Sequence, residues 1–172
     1  MIAKLADIAM AEVGTREVGG NNCGAHIREF QAATELRPAA WPWCAAFVDW
    51  SIYQWLKDQD AVKWLSLKST TPNEWRPKTA AAFGLIDWAR QRPKSTTILG
   101  ENDSPKKGDI IVFDFSHTGI VVSDGFHDGK VETVEGNTNG KGDRDSVSGD
   151  GVWHKFRAKS LAHNYVRIHP VS

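Results

Sequence analysis

The chain predicts an α+β fold, with helices first and an antiparallel sheet after them. Three observations carry this. Apolar residues recur at helical spacing through the first half; beyond Ser104 the pattern changes to short β-rich runs; and no internal repeat or linker breaks the order. At 172 residues the chain can bury a sizeable core and is expected to form one domain over 1–172. A composition of 41% hydrophobic and 24% charged residues makes it globular rather than disordered.

The elements follow in order. Ile2, Leu5, Ala9 and Val13 mark a first helix that Gly14 stops. Gly19-Gly20-Asn21-Asn22 is a turn, and a second helix is expected over 24–35, with Ile27 and Phe30 inward and Pro38 beyond its end. Pro42 suits the first turn of a third helix running from Cys44 to about Lys57. Phe47, Val48, Trp50, Ile52, Trp55 and Leu56 cover most of its circumference, so it should be the buried central helix. Residues 60–78 read as irregular around Pro72 and Pro77, and a shorter helix is expected over 78–91, closed by Pro93. Strands follow at Ile110–Phe115, Gly119–Ser123, Lys130–Glu135, 151–157 and 163–168. The Gly-, Asp- and Ser-rich 138–150 stretch is a loop.

Charge and composition exclude several classes. Lys+Arg and Asp+Glu are 21 each, and no basic stripe is visible, so nucleic acid is not an expected partner. The eight tryptophans, most of them between Trp41 and Trp88, are then core or the wall of a groove. Only Cys23 and Cys44 are present; one disulfide is possible, but the pattern is not that of a Cys-rich secreted scaffold. No apolar run reaches 18 residues, so no membrane span is expected. Asp7 and Glu12 interrupt the N-terminal apolar stretch too early for an export signal, and none is expected.

Chemistry concentrates at four residues. Cys44 heads the central helix, where the positive end of the helix dipole favours a thiolate. A thiol nucleophile needs a histidine base and a group that orients it. His117 lies between two apolar strands, where a side chain can project from a sheet edge. A histidine in a turn is most often idle, but His26, His127, His154, His163 and His169 have no comparable setting. Glu135 and Asn137 are two apart at a strand end, so alternation aims both at one face. Such a group would hold the imidazole by Nδ1–H and leave the other nitrogen for the thiol. Glu135-Gly136-Asn137 could equally begin a turn. With Cys44 and His117 in the same chain, the catalytic reading is the stronger one. Trp41 and Trp43, flanking the cysteine, suit either a substrate groove or the core. Cys23 has nothing nearby to activate it.

Four segments taken together resemble one family: Trp43-Cys44-Ala45-Ala46-Phe47-Val48, Gly108-Asp109-Ile110-Ile111-Val112-Phe113, Ser116-His117-Thr118-Gly119-Ile120-Val121 and Glu135-Gly136-Asn137-Thr138. The chain is similar to the CHAP family, the cysteine, histidine-dependent amidohydrolases/peptidases, a papain-like group of peptidoglycan hydrolases. The segments fall in family order, and the resemblance spans roughly residues 10–157. It implies a papain-like fold, with the cysteine-bearing helix packed on a C-terminal antiparallel sheet. It also implies that Cys44 attacks a peptide-stem carbonyl, that His117 relays the proton, that Glu135 orients His117, and that Asn137 assists. The oxyanion would be held partly by the Cys44 backbone N–H. Gln31 is conceivable as a second donor, although a helix-surface residue is its plainer reading.

Some members bind calcium through an Asp-rich turn before the cysteine. Here that region reads Gly20-Asn21-Asn22-Cys23-Gly24, without aspartate. Asp143, Asp145 and Asp150 resemble a calcium loop only loosely, lacking its closing Glu, and no zinc-ligand spacing occurs. No metal and no cofactor are therefore expected. With no export signal, wall-binding repeat or basic surface visible in the sequence, the chain is expected to be a compact bacteriophage endolysin without a separate wall-binding domain. It would be a monomer, made in the host cytoplasm, reach the wall with the help of a holin, and act on bacterial peptidoglycan as amidase or endopeptidase. Two alternatives stand beside it: an antibacterial toxin with an immunity partner, and a non-catalytic module that binds wall or assembles a virion.

Overall fold

A computed structural model describes residues 1–68, 71–141 and 149–171. Helices α1 (Ala3–Ala11), α2 (Ala25–Gln31), α3 (Cys44–Trp55), α4 (Gln59–Trp64), α5 (Pro72–Trp75) and α6 (Gly84–Arg90) precede strands β1 (Thr96–Gly100), β2 (Ile110–Phe113), β3 (Thr118–Val121), β4 (Lys130–Thr138), β5 (Gly151–Ala158) and β6 (Ala162–Ile168). The strands form one six-stranded sheet in the order β1-β6-β2-β3-β4-β5, and every pairing is antiparallel. The expected α+β class and papain-like layout are those observed. None of the described helices is long and apolar enough to cross a membrane.

Alternation along the strands builds two cores. Ile110 and Val112 of β2, Ile120 of β3 and Val134 of β4 face the helices and join Phe47, Ile52 and Trp55 of α3. Ile111, Phe113, Val121 and Val131 face the other way, into a smaller cluster with Tyr165. Both faces of β2 and β3 are thus buried, which is why these strands read as continuous apolar runs. Helix α3 presses on β4 where Gly136 lies; a Cβ there would stand 2.7 Å from Phe47 Cβ and 2.8 Å from the Trp43 ring.

Four local expectations change. Helix α2 stops at Gln31 rather than 35, because Arg76 Nη1 takes the Ala33 carbonyl (2.6 Å) and Thr34 Oγ1 takes that of Gln31 (2.9 Å). The 60–78 stretch holds α4, N-capped by the Asp58 carboxylate on Asp60 N–H (2.9 Å), and α5, with Pro72 in its first turn, where proline is tolerated. Helix α6 starts at Gly84 rather than 78, since Thr79 Oγ1 accepts from Ala81 N–H (3.1 Å) and turns the chain first. Strand β1 is an unexpected edge strand, paired among the described residues only with β6.

Candidate active site

Cys44 opens α3 and is 7% exposed. The residues ahead of it are held from two directions. Trp43 stacks on Phe30 (ring centroids 5.5 Å apart) and donates its indole N–H to Glu17 Oε1 (3.0 Å). Gln31 Nε2 donates to the carbonyls of Ala39 (2.7 Å) and Trp41 (3.0 Å), tying α2 to the approach loop. Gln31 is fully buried, not a surface residue, and its amide hydrogens are spent on that loop rather than offered to a substrate. Trp43 is a correction to the groove reading: it is completely buried, because its ring fills the gap between Phe30 and β4. Trp41, half-buried, does line the cleft at Cys44. Both cysteines are free thiols.

His117 sits just ahead of β3, in the turn that joins it to β2. The turn closes through Phe113 N–H on the His117 carbonyl (2.8 Å), with Ser116 in the left-handed region (φ 59°). The imidazole is fully buried and stacks against the rings of Phe113 and Phe115 (centroids 5.6 and 5.7 Å). Its Nε2 meets Glu135 Oε1 at 2.7 Å, whereas its buried Nδ1 has no hydrogen-bond partner among the described residues. This reverses the expected choice of nitrogen. The carboxylate takes Nε2, because the ring enters from the β2–β3 turn with that edge toward β4, and Nδ1 is left for the thiol.

Glu135 is fully buried and caged. Thr133 Oγ1 donates to Oε2 (2.6 Å), Arg157 Nε to Oε2 (2.9 Å) and Arg157 Nη2 to Oε1 (2.6 Å). Gly119 makes room for it, since a Cβ there would lie 2.6 Å from Glu135 Cγ. Burial alone would raise its pKa, but the bonds from Arg157 and His117 prevail and hold it at about 2. Burial likewise pulls the His117 pKa down; interactions with Cys44 and Glu135 outweigh it and raise the ring to about 9. The histidine is therefore an imidazolium at neutral pH, anchored to a carboxylate on one edge and influenced by the Cys44 thiol on the other.

Asn137 lies beside His117 and Cys44 in the cleft, 4% exposed. It does not get there by alternation. The β4–β5 register shifts between Glu135 and Thr138, and Asn137 is left-handed (φ 55°), so a bulge re-aims it. The cleft has a volume of about 590 Å³ and is lined also by Asn22, Trp41, residues 80–82 and Phe115. Asp143 and Asp145 lie outside the described residues, and the Asp150 carboxylate accepts from Trp153 Nε1 (2.8 Å).

Arg157 is the residue sequence reasoning missed. It is fully buried, and its guanidinium lies 5.2 Å from the Phe113 ring centroid. In register it stands opposite Val131, so it reaches along β4 past Thr133 to Glu135. Its position in the alternating 151–157 run was the available signal, but only the strand register shows what it reaches.

A thiol heading a central helix, opposed by a sheet-borne histidine and carboxylate, defines a papain-like cysteine hydrolase architecture. A family model described as the CHAP domain matches residues 37–137, more than half of the 172-residue chain, and the chain belongs to that family of cysteine, histidine-dependent amidohydrolases/peptidases. The match is narrower than the 10–157 resemblance and contains Cys44, His117, Glu135 and Asn137, while Asn22 and Arg157 fall outside it. A comparison with curated proteins finds no match.

Proposed function

We propose that the protein hydrolyses an amide bond of the peptidoglycan peptide stem through a Cys44 acyl-enzyme. The observation that carries this is the buried His117 ring: Glu135 binds one nitrogen, and the other is free in the cleft that Cys44 heads. The Cys44 sulfur, its proton held on His117, adds to the carbonyl carbon. The C=O π pair moves to oxygen and then returns as the C–N bond breaks, with His117 giving its proton to the leaving amine. Water, deprotonated by His117, releases the acyl group and the thiol. Glu135 keeps the ring in place and stabilises its charge; Asn137 flanks it in the cleft.

The CHAP match supports a peptidoglycan substrate, and we further propose a phage lysis enzyme that reaches the wall through holin pores. Purified peptidoglycan should gain free amines in the presence of the protein. Cys44→Ala should abolish this without changing the circular dichroism spectrum, and undiminished release by that variant would overturn the reading. Mass spectrometry of the muropeptides then separates amidase products, which begin with free alanine, from endopeptidase products. Cytoplasmic expression should be harmless until a holin permeabilises the membrane; lysis without one would count against the phage role.

A further inference from the structure

We propose that a cavity between α2, α3 and the end of α5 is a second binding site, which takes a free carboxylate of a peptide stem on Arg76. The wall as the source of that carboxylate rests on the hydrolytic reading above; the chemistry rests on the cavity itself.

Arg76 is 8% exposed, yet no carboxylate meets it in an ion pair among the described residues. Buried charges are normally paired, as Arg157 is with Glu135 (2.6 Å) and Arg167 with Asp109 (2.7 Å). Asp49 acts on Arg76 only through space, and burial favours the protonated form of that acid. Arg76 Nε donates to Asn73 Oδ1 (2.9 Å), and Nη1 donates to the carbonyls of Ala33 (2.6 Å) and Pro77 (3.1 Å). Those three bonds fix the plane of the guanidinium. Its Nη2 makes no hydrogen bond among the described residues and is not sealed from solvent. A charged donor is thus held in place with its own hydrogens unspent.

Arg76 lines a cavity of about 410 Å³, a volume suited to a small ligand group. Glu29 of α2, Trp50, Tyr53 and Gln54 of α3, and Asn73 of α5 line it as well. The guanidinium lies 5.0 Å from the Tyr53 ring centroid, a cation–π contact that steadies it further. Asn73 uses its oxygen on Arg76 and keeps its amide hydrogens, and the Gln54 side chain makes no hydrogen bond among the described residues. Charge-assisted donation with amides beside it suits a carboxylate. Glu29 is exposed and has no ion pair among the described residues, so the same cavity favours an ammonium near that carboxylate. A stem that ends in a diamino acid carries both groups. This cavity shares no lining residue with the catalytic cleft, and Trp50 to Gln54 lie six to ten residues past Cys44, about 9–15 Å along α3. A carboxylate bound there is remote from the scissile amide.

The test follows the Trp50 indole N–H by NMR in Cys44→Ala while L-alanyl-γ-D-glutamyl-L-lysine is added. The tripeptide should shift the signal saturably, and the same peptide with both carboxylates amidated should bind about 10-fold or more weakly. Arg76→Gln should weaken the tripeptide equally, but it also removes the bonds to Ala33, Pro77 and Asn73. Gln54→Glu, made in the same Cys44→Ala protein, leaves those bonds intact and sets a competing carboxylate on the cavity wall. It should weaken tripeptide binding about 10-fold or more, and co-sedimentation with purified sacculi should fall with it. Equal binding of charged and amidated peptides would overturn the proposal, as would a Gln54→Glu protein that binds the tripeptide undiminished. A response to inorganic phosphate with none to the tripeptide would overturn it too. If the wild type releases no amines from peptidoglycan while tripeptide binding still depends on its carboxylates and on Gln54→Glu, the hydrolytic reading fails and the carboxylate site stands.

Discussion

Among the described residues two carboxylates are buried without any exposure, Glu135 on β4 and Asp49 on α3, and they meet opposite fates. Glu135 receives hydrogen bonds from Thr133, Arg157 and His117 and is held at about 2. Neither oxygen of Asp49 has a hydrogen-bond partner among the described residues, and burial drives its pKa well above the usual range. Arg76, the cation acting on Asp49, spends its own hydrogens on Ala33 O, Pro77 O and Asn73 Oδ1, so it helps only at a distance. Burial does not decide whether an acid is charged; the donors around it do. The sheet builds a cage for a charge, whereas the helix leaves its acid without donors, which favours the protonated form.

Breaking the cage should have the largest effect on stability. Arg157→Leu strips buried Glu135 of its guanidinium, leaving only the His117 imidazolium and Thr133, and should cost about 3–5 kcal/mol. For a chain of this size that lowers Tm by about 6–20 °C, checked by thermal denaturation. Arg157→Lys keeps the charge but cannot make the two-pronged contact, so it should recover only part of the loss. Next comes Glu135→Gln, which keeps the shape and removes the charge. Its peptidoglycan hydrolysis should fall about 10²-fold or more, while its fold survives in near-ultraviolet circular dichroism.

The pair also sets a pH window. The raised His117 pKa contributes stability that is complete below about 6.5 and lost as pH rises through about 9. The lowered Glu135 pKa contributes stability present above about 4.5 and lost as pH falls through about 2. The urea midpoint should therefore be highest between these limits, and His117→Asn should remove the alkaline decline.

The smallest effect is expected at Asp49. The folded state retains a proton there that the unfolded chain releases above about 3.8, so folding weakens as pH rises from that value. Asp49→Asn removes this dependence. It should raise stability at pH 7 by about 1 kcal/mol, or about 2–4 °C in Tm, with no gain near pH 3. An equal gain at both pH values would mean that Asp49 is not held neutral.

The comparison also explains what was legible in the sequence. Cys44, His117 and Glu135 announce themselves locally, through a proline before a helix, a turn between apolar runs and a charged residue ending a strand. The central helix and five of the strands follow from periodicity for the same reason. Arg157 does not announce itself, because its tie to Glu135 depends on the β4–β5 register, in which it stands opposite Val131. The choice of histidine nitrogen depends on the edge by which the ring enters, and Asn137 reaches the cleft only through a bulge. Trp43 could have been wall or core until Phe30 and Gly136 closed around it. Asp49 reads as one polar residue in an otherwise apolar helix, and only the lack of partners among the described residues sets it apart.

The central claim is that Cys44 on one edge and the caged Glu135 on the other together keep His117 an imidazolium. An NMR titration of the His117 ring in the wild type and in Glu135→Gln tests it most directly. The account predicts a wild-type pKa of about 9 and a clearly lower value in the variant. A wild-type value near the ordinary 6.5, or one that does not move with Glu135, would contradict it.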